Sequence, residues 1–140
     1  MQDKTRKMRM TRQRKVILEE LKKVTSHPTA DQVYQMVKVR LPKISLATVY
    51  RNLEALSEAG LILKLELGGI QRRYDGDTSP HHHVRCIACN AVADLPEEAL
   101  DVGAIDFKSP PDFEICGFRL EFLGVCSHCR GRTGCKQART

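Results

Sequence analysis

From Met10 to Gly60 apolar side chains recur at helical spacing, and from Leu61 onward the period drops to two, so three helices should give way to strands. Met10 to Val24 carries Ile17, Leu18 and Leu21 on one face, with Arg12, Arg14 and Lys15 outside it. Thr29, followed three residues on by Gln32, has the form of a capping box, and Val33, Tyr34, Val37 and Leu41 supply the apolar face before Pro42 disfavours continuation. Ser45 can cap a third helix whose Leu46, Val49, Leu53 and Leu56 face inward, and Gly60 is placed to close it in a left-handed C-cap. That phase leaves Ala47, Thr48, Tyr50, Arg51 and Asn52 facing outward.

After the third helix, Leu61, Leu63, Leu65 and Leu67 alternate with Ile62, Lys64 and Glu66, Gly68-Gly69 offers a two-residue turn, and Ile70 to Tyr74 returns with Arg72 and Arg73. The pattern is that of a β-hairpin. Farther along, Asn90 to Leu95 reads as a short apolar strand and Pro96-Glu97-Glu98 as a proline-first, acid-first helix start. Phe118, Leu120 and Phe122 alternate with Arg119 and Glu121 as a strand leading to Cys126. The fold class is therefore α+β: an N-terminal winged helix-turn-helix followed by a small α+β domain. In a winged helix the third helix enters the DNA major groove and the hairpin lies against phosphates. Arg14, Thr48, Tyr50, Arg51 and Asn52, with Arg73 on the wing, are the candidate DNA contacts.

Charge divides the chain at the same place. Residues 1–74 hold 16 Lys/Arg against 7 Asp/Glu, whereas residues 75–140 hold 7 against 10, so the first half suits a polyanion and the second does not. No stretch longer than eight residues lacks a charged side chain, and the opening has no apolar run behind it, so neither a membrane span nor a secretory signal fits and a cytoplasmic location is expected.

In a reducing compartment Cys-x-x-Cys pairs read as metal or redox sites. Cys86-Ile87-Ala88-Cys89 and Cys126-Ser127-His128-Cys129, separated by 36 residues, can set four thiolates around Zn2+. No βαβ pattern surrounds either pair, which argues against redox catalysis. Zinc joining Cys86 and Cys89 to Cys126 and Cys129 would staple a domain too small to stand comfortably alone. A second set of donors, His27, Asp75, His81, His83 and Asp94, offers nitrogen and oxygen suited to Fe2+, Mn2+ or Zn2+. His82 could serve an accessory site or face water. His128 is expected to face solvent, Cys116 to be a buried core thiol and Cys135 a tail thiol. No His-Glu-x-x-His or deaminase-type His-x-Glu occurs, so no enzyme is expected.

Ser45-Leu46-Ala47-Thr48-Val49-Tyr50-Arg51-Asn52-Leu53, Met10-Thr11-Arg12-Gln13-Arg14 and the His-x-His-x-x-Cys-x-x-Cys of His81 to Cys89 together resemble the ferric uptake regulator (Fur) family. The resemblance covers most of the chain and implies a dimeric, metal-dependent bacterial transcription factor bound to double-stranded operator DNA. It further implies a winged-helix domain at 1–75, a hinge at 76–80 and a metal-binding dimerisation domain at 81–140, with Tyr50 and Arg51 at the DNA. It also makes His27, Asp75, His81, His83 and Asp94 joint ligands of a regulatory ion. Aspartate at both 75 and 94 resembles the peroxide-sensing (PerR) branch, where Fe2+ or Mn2+ is bound, and Val125 stands where iron-uptake members often have histidine. Oxidation of His27 or His81 by peroxide would then remove a ligand. An iron- or zinc-uptake regulator of the same family is the alternative.

Overall fold

The computed structural model describes residues 8–66, 71–101, 103, 106–118 and 120–132. The chain forms two compact units, Met1–Ser79 and Pro80–Thr140.

The first unit holds helices α1 (Arg12–Lys22), α2 (Ala30–Val37) and α3 (Leu46–Glu58), then strands β1 (Leu63–Leu65) and β2 (Arg73–Asp75). Each helix starts where a side-chain oxygen can take an open amide. Thr11 Oγ1 accepts from Arg14 N at 3.3 Å and Ser45 Oγ from Thr48 N at 3.1 Å. At α2 the box is reciprocal: Thr29 Oγ1 accepts from Gln32 N at 3.4 Å and Gln32 Oε1 from Thr29 N at 2.9 Å. Gly60, at φ +75°, ends α3 while Leu61 N returns to Leu56 O at 3.0 Å.

Ile17, Leu21, Val33, Val37, Val49, Leu53 and Leu56 meet in one core, and Leu18, Tyr34 and Leu41 pack at its edge. Burying each such side chain contributes about 1.5–3 kcal/mol, which outweighs the weak helix propensity of the β-branched positions. The strand phase differs from the expected alternation. Ile62 is in the core at 1% exposure and Leu61 is 38% exposed, because both precede β1 and are still oriented by the helix cap. The register also differs: Leu65 pairs with Arg73, one residue beyond the Arg72 that a two-residue turn at Gly68-Gly69 would require. That turn, with Leu67 and Ile70, lies outside the described residues. Just after β2, Gly76 lets α1 approach, since a Cβ there would meet Leu21 C and Lys22 N at 3.1 Å.

The second unit is built on a sheet of order β4-β3-β5, with β3 (His82–Cys86), β4 (Val92–Leu95) and β5 (Phe122–Gly124). β4 runs antiparallel to β3 and β5 parallel to it, so Val84 has Ala93 on one side and Phe122 on the other. The strand expected from Phe118 begins only at Phe122, and the Pro96 helix start yields a single 3-10 turn, Glu97–Ala99. Arg119 lies outside the described residues. Phe107, Phe113, Phe118 and Leu123 remain exposed in this unit. No helix among the described residues is long and apolar enough to cross a membrane.

Candidate metal centres

The thiols of Cys86, Cys89, Cys126 and Cys129 converge, with their four Sγ atoms within 4.8 Å of one another. Cys89 Sγ lies 3.7 Å from Cys126 Sγ, close to the edge of about 3.8 Å of a tetrahedron with Zn–S bonds of about 2.3 Å. Two tight turns bring them together. Asn90, at φ +63°, donates N to Cys86 O at 2.9 Å, and Arg130 donates N to Cys126 O at 2.9 Å. The pairing of β3 with β5 then sets one turn beside the other, with Ile87 N on Gly124 O at 2.9 Å. Backbone amides of Cys126 and Cys89 lower the Cys86 pKa, the former donating to its Sγ at 3.4 Å. The Cys129 pKa is raised by thiol hydrogen bonding, first from Cys126, and by burial. Thiols crowded this closely compete for protons that a divalent ion would replace. The donor set and spacing fit structural zinc.

Histidine and aspartate side chains also meet within each unit. In the first unit His27 Nε2 is 3.2 Å from Asp75 Oδ2, at 1% and 5% side-chain exposure. Asp75 Oδ1 accepts from Asp77 N at 2.9 Å. His27 precedes α2 at φ +53°, in the left-handed region that residues with a Cβ seldom enter. Its turn is stitched to β2 by Tyr74 N on Pro28 O at 2.9 Å and by a bridge between Thr29 and Arg73. In the second unit His83 faces Asp94 across the β3–β4 pair, with Nε2 3.4 Å from Oδ1, and His81 Nε2 reaches the same oxygen at 3.2 Å. Two residues apart, the rings of His81 and His83 share a side, their centroids 4.5 Å from each other. His82 packs edge-on against Phe122 at 5.9 Å. Imidazole and carboxylate without thiolate suit Fe2+ and Mn2+ as well as Zn2+.

The ferric uptake regulator family model matches residues 5–123. The chain belongs to the ferric uptake regulator family. It is 38% identical over 122 residues to the "Peroxide operon regulator" of Bacillus subtilis, covering 87% of this chain and 84% of that protein. It is 35% identical over 123 residues to the "Peroxide-responsive repressor PerR" of Staphylococcus epidermidis, covering 88% and 82%. Among solved structures it is similar to the Campylobacter jejuni peroxide stress regulator, with a TM-score of 0.63, 29% identity and coverage of 84% of this chain and 88% of that one.

On this Fur-family winged helix, α3 presents Thr48, Tyr50 and Arg51. Arg51 is exposed and donates Nη2 to Thr48 Oγ1 at 3.1 Å, and Tyr50, 40% exposed, donates its hydroxyl to Asp31 Oδ2 at 3.4 Å. Gln71 Nε2 reaches the same Asp31 oxygen at 3.0 Å, so Asp31 ties α3 to the wing; an acid on a basic face gave no signal in the sequence. Two expected contacts are placed otherwise. Asn52 is buried, 7% exposed, because it sits one turn from Leu56 on the inward side and accepts from Arg14 Nε at 3.1 Å. Arg73 is half-buried and donates Nη1 to His27 O at 3.0 Å, turned from the surface by the Thr29 bridge. The other wing cations are balanced locally, Arg72 by Glu66 at 2.9 Å and Lys64 by Glu54 at 3.2 Å. Cys116, expected in the core, is exposed, since its segment is not part of a strand. His128 is exposed, and Cys135 lies outside the described residues.

Proposed function

We propose that the chain is a metal-dependent transcriptional repressor that binds double-stranded operator DNA as a homodimer in the cytoplasm and is inactivated by peroxide through its regulatory-metal ligands. The observation that carries this reading is the segregation of donors: thiolates occupy one cluster, while His27 with Asp75 and His81 and His83 with Asp94 form clusters free of sulfur. Cys86, Cys89, Cys126 and Cys129 hold structural Zn2+; in small zinc peptides such binding contributes about 10–16 kcal/mol to folding. His27, Asp75, His81, His83 and Asp94 together hold regulatory Fe2+ or Mn2+. Residues 1–75 act as the DNA-binding domain, 76–80 as hinge and 81–140 as the dimerisation domain.

Donors contributed by both domains make ion binding a coupling free energy that favours one disposition of the two recognition helices, one helical turn of DNA apart. His27, His81 and His83 would set their imidazoles beside the ion, and Fe2+ held there would supply the reducing electrons that peroxide needs, whereas Mn2+ would not. Peroxide would leave one oxygen on His27 or His81 and the other as water, and the modified imidazole would be lost as a ligand and with it the coupling. Arg14, Thr48, Tyr50 and Arg51 contact DNA, with Asn52 supporting Arg14 from beneath. The exposed apolar side chains of the second unit supply surface for a second copy. The peroxide-responsive names of the relatives support the same branch.

The test is operator binding by protein stripped of its weaker ion and reloaded. Fe2+ and Mn2+ should each restore binding, and peroxide should abolish it in the iron form alone. Peroxide-resistant binding in the iron form would move the chain to iron or zinc uptake control.

A further inference from the structure

We infer that Arg73 is a positioning residue for the regulatory ion: it holds His27 in the backbone conformation that turns the imidazole onto Asp75. The inference rests on the reading of His27 and Asp75 as ligands. A left-handed histidine is held only where its surroundings over-determine it, and glycine would be the easier residue at φ +53°. The backbone that follows it is fixed, Pro28 O by Tyr74 N at 2.9 Å and Thr29 N by Gln32 Oε1 at 2.9 Å. The guanidinium of Arg73 contacts the His27 peptide itself, Nη1 to carbonyl oxygen at 3.0 Å.

Arg73 and Asp75 stand two residues apart on β2 and so share a side of the strand. One grips the His27 carbonyl and the other its Nε2, at 3.2 Å. A guanidinium displayed to phosphate would keep its donors outward. Here Nε is buried with no hydrogen-bond partner among the described residues, and Nη1 is committed to the turn. The wing strand and the ion therefore share His27, and displacement of β2 disturbs both.

The experiment is calorimetric titration of Mn2+ into the zinc-loaded full chain. Loss of a group that orients a metal ligand weakens binding by about 10- to 100-fold, and Arg73→Gln should raise the Mn2+ Kd by that factor. Arg73→Lys keeps one donor and should recover much but not all of the loss, and a Kd still raised above the parent's carries the test if Arg73→Gln does not fold. In a His27→Gly background, which keeps the turn and removes the ligand, Arg73→Gln should have no further effect. Parental affinity in both Arg73 variants, beside an Asp94→Ala protein that has lost Mn2+, overturns the role of Arg73 and leaves the ligand reading standing. Parental affinity in Asp94→Ala overturns the ligand reading itself. An undiminished Arg73→Gln effect in the His27→Gly background would show that Arg73 acts by another route, and the inference fails.

Discussion

Arg14 of α1 donates its Nε to Oδ1 of Asn52 in α3 across 3.1 Å, and its Nη1 to the carbonyl of Arg9 at 2.7 Å. The bond crosses from the first helix to the one carrying Tyr50 and Arg51, and Asn52 gives its oxygen while its Nδ2 is buried without a hydrogen-bond partner among the described residues. Asn52→Ala removes the acceptor and should lower stability by about 1.5–3 kcal/mol, the range for a hydrogen bond to a charged group. Asn52→Asp keeps an acceptor and exchanges the stranded donor for a second oxygen, so it should melt closer to the parent. Equal losses of Tm in the two variants would show that the contact with Arg14 is not what Asn52 supplies.

How far such contacts can be read from sequence depends on their range. Caps were legible because Thr29 and Gln32, or Ser45 and Thr48, meet within one turn of chain, and the convergence of four cysteines was legible because ligand chemistry fixes their spacing. Asn52 is not, since a polar side chain on the inward side of α3 is readable only through its partner Arg14, 38 positions away. The charge of Arg73 points to phosphate, and only the pairing of β2 with the Thr29 turn redirects it inward. The segment His82–Cys86 shows no apolar alternation, yet it forms the central strand because β4 and β5 supply its hydrogen bonds. Strand pairing, unlike capping, is settled by partners distant in the chain.

The zinc assignment predicts a metal-dependent fold in the second unit. Cys126→Ser should release about one zinc per chain and lower the Tm of the Pro80–Thr140 unit, because ligand and folding energy are lost together. Strong chelators should do the same to the parent. Full zinc content and an unchanged Tm in Cys126→Ser would remove the site.

Arg51 stands exposed on α3 beside Thr48, its guanidinium steadied by the Thr48 hydroxyl. If it makes a bidentate base contact, Arg51→Ala should weaken operator binding by about 1–3 kcal/mol while leaving binding to unrelated DNA nearly unchanged. Fluorescence anisotropy with the two DNAs distinguishes this from a phosphate contact, which would weaken both alike and reduce the salt dependence.

Tyr74 predicts an alkaline limit to stability in the first unit. Burial, reinforced by Glu54, pushes its phenol from an ordinary 10.0 up to about 12. Below pH 10 the group is protonated folded or unfolded, so its contribution is intact; between pH 10 and 12 the unfolded chain releases a proton that the folded chain retains, and stability falls as pH rises. Tyr74→Phe lacks the ionisation and should show a shallower decline in Tm across that window. Parallel declines in parent and variant would place the alkaline sensitivity elsewhere.

Asp94 touches both histidines of the second cluster, Oδ1 lying 3.2 Å from His81 Nε2 and 3.4 Å from His83 Nε2. It stands on β4 directly across from His83, so its reach is set by strand register rather than by a loop. Asp94→Glu keeps the charge but adds one methylene, moving the carboxylate by about 1.5 Å where the backbone cannot follow. Metal-dependent DNA binding should survive, because the donor type is unchanged, while the peroxide response should be blunted, because the imidazoles no longer sit in the same relation to the ion. In the parent, iron-loaded protein exposed to low peroxide should gain a single oxygen on His27 or His81, read by peptide mass spectrometry, before Cys86 or Cys129 reacts. The order is the sensitive point. The zinc thiolates are chemically softer and would be attacked first by a diffusing oxidant, so early histidine modification requires that the oxidant form at the histidine–aspartate ligands. Cysteine oxidation preceding histidine modification would transfer the sensing role to the thiol cluster.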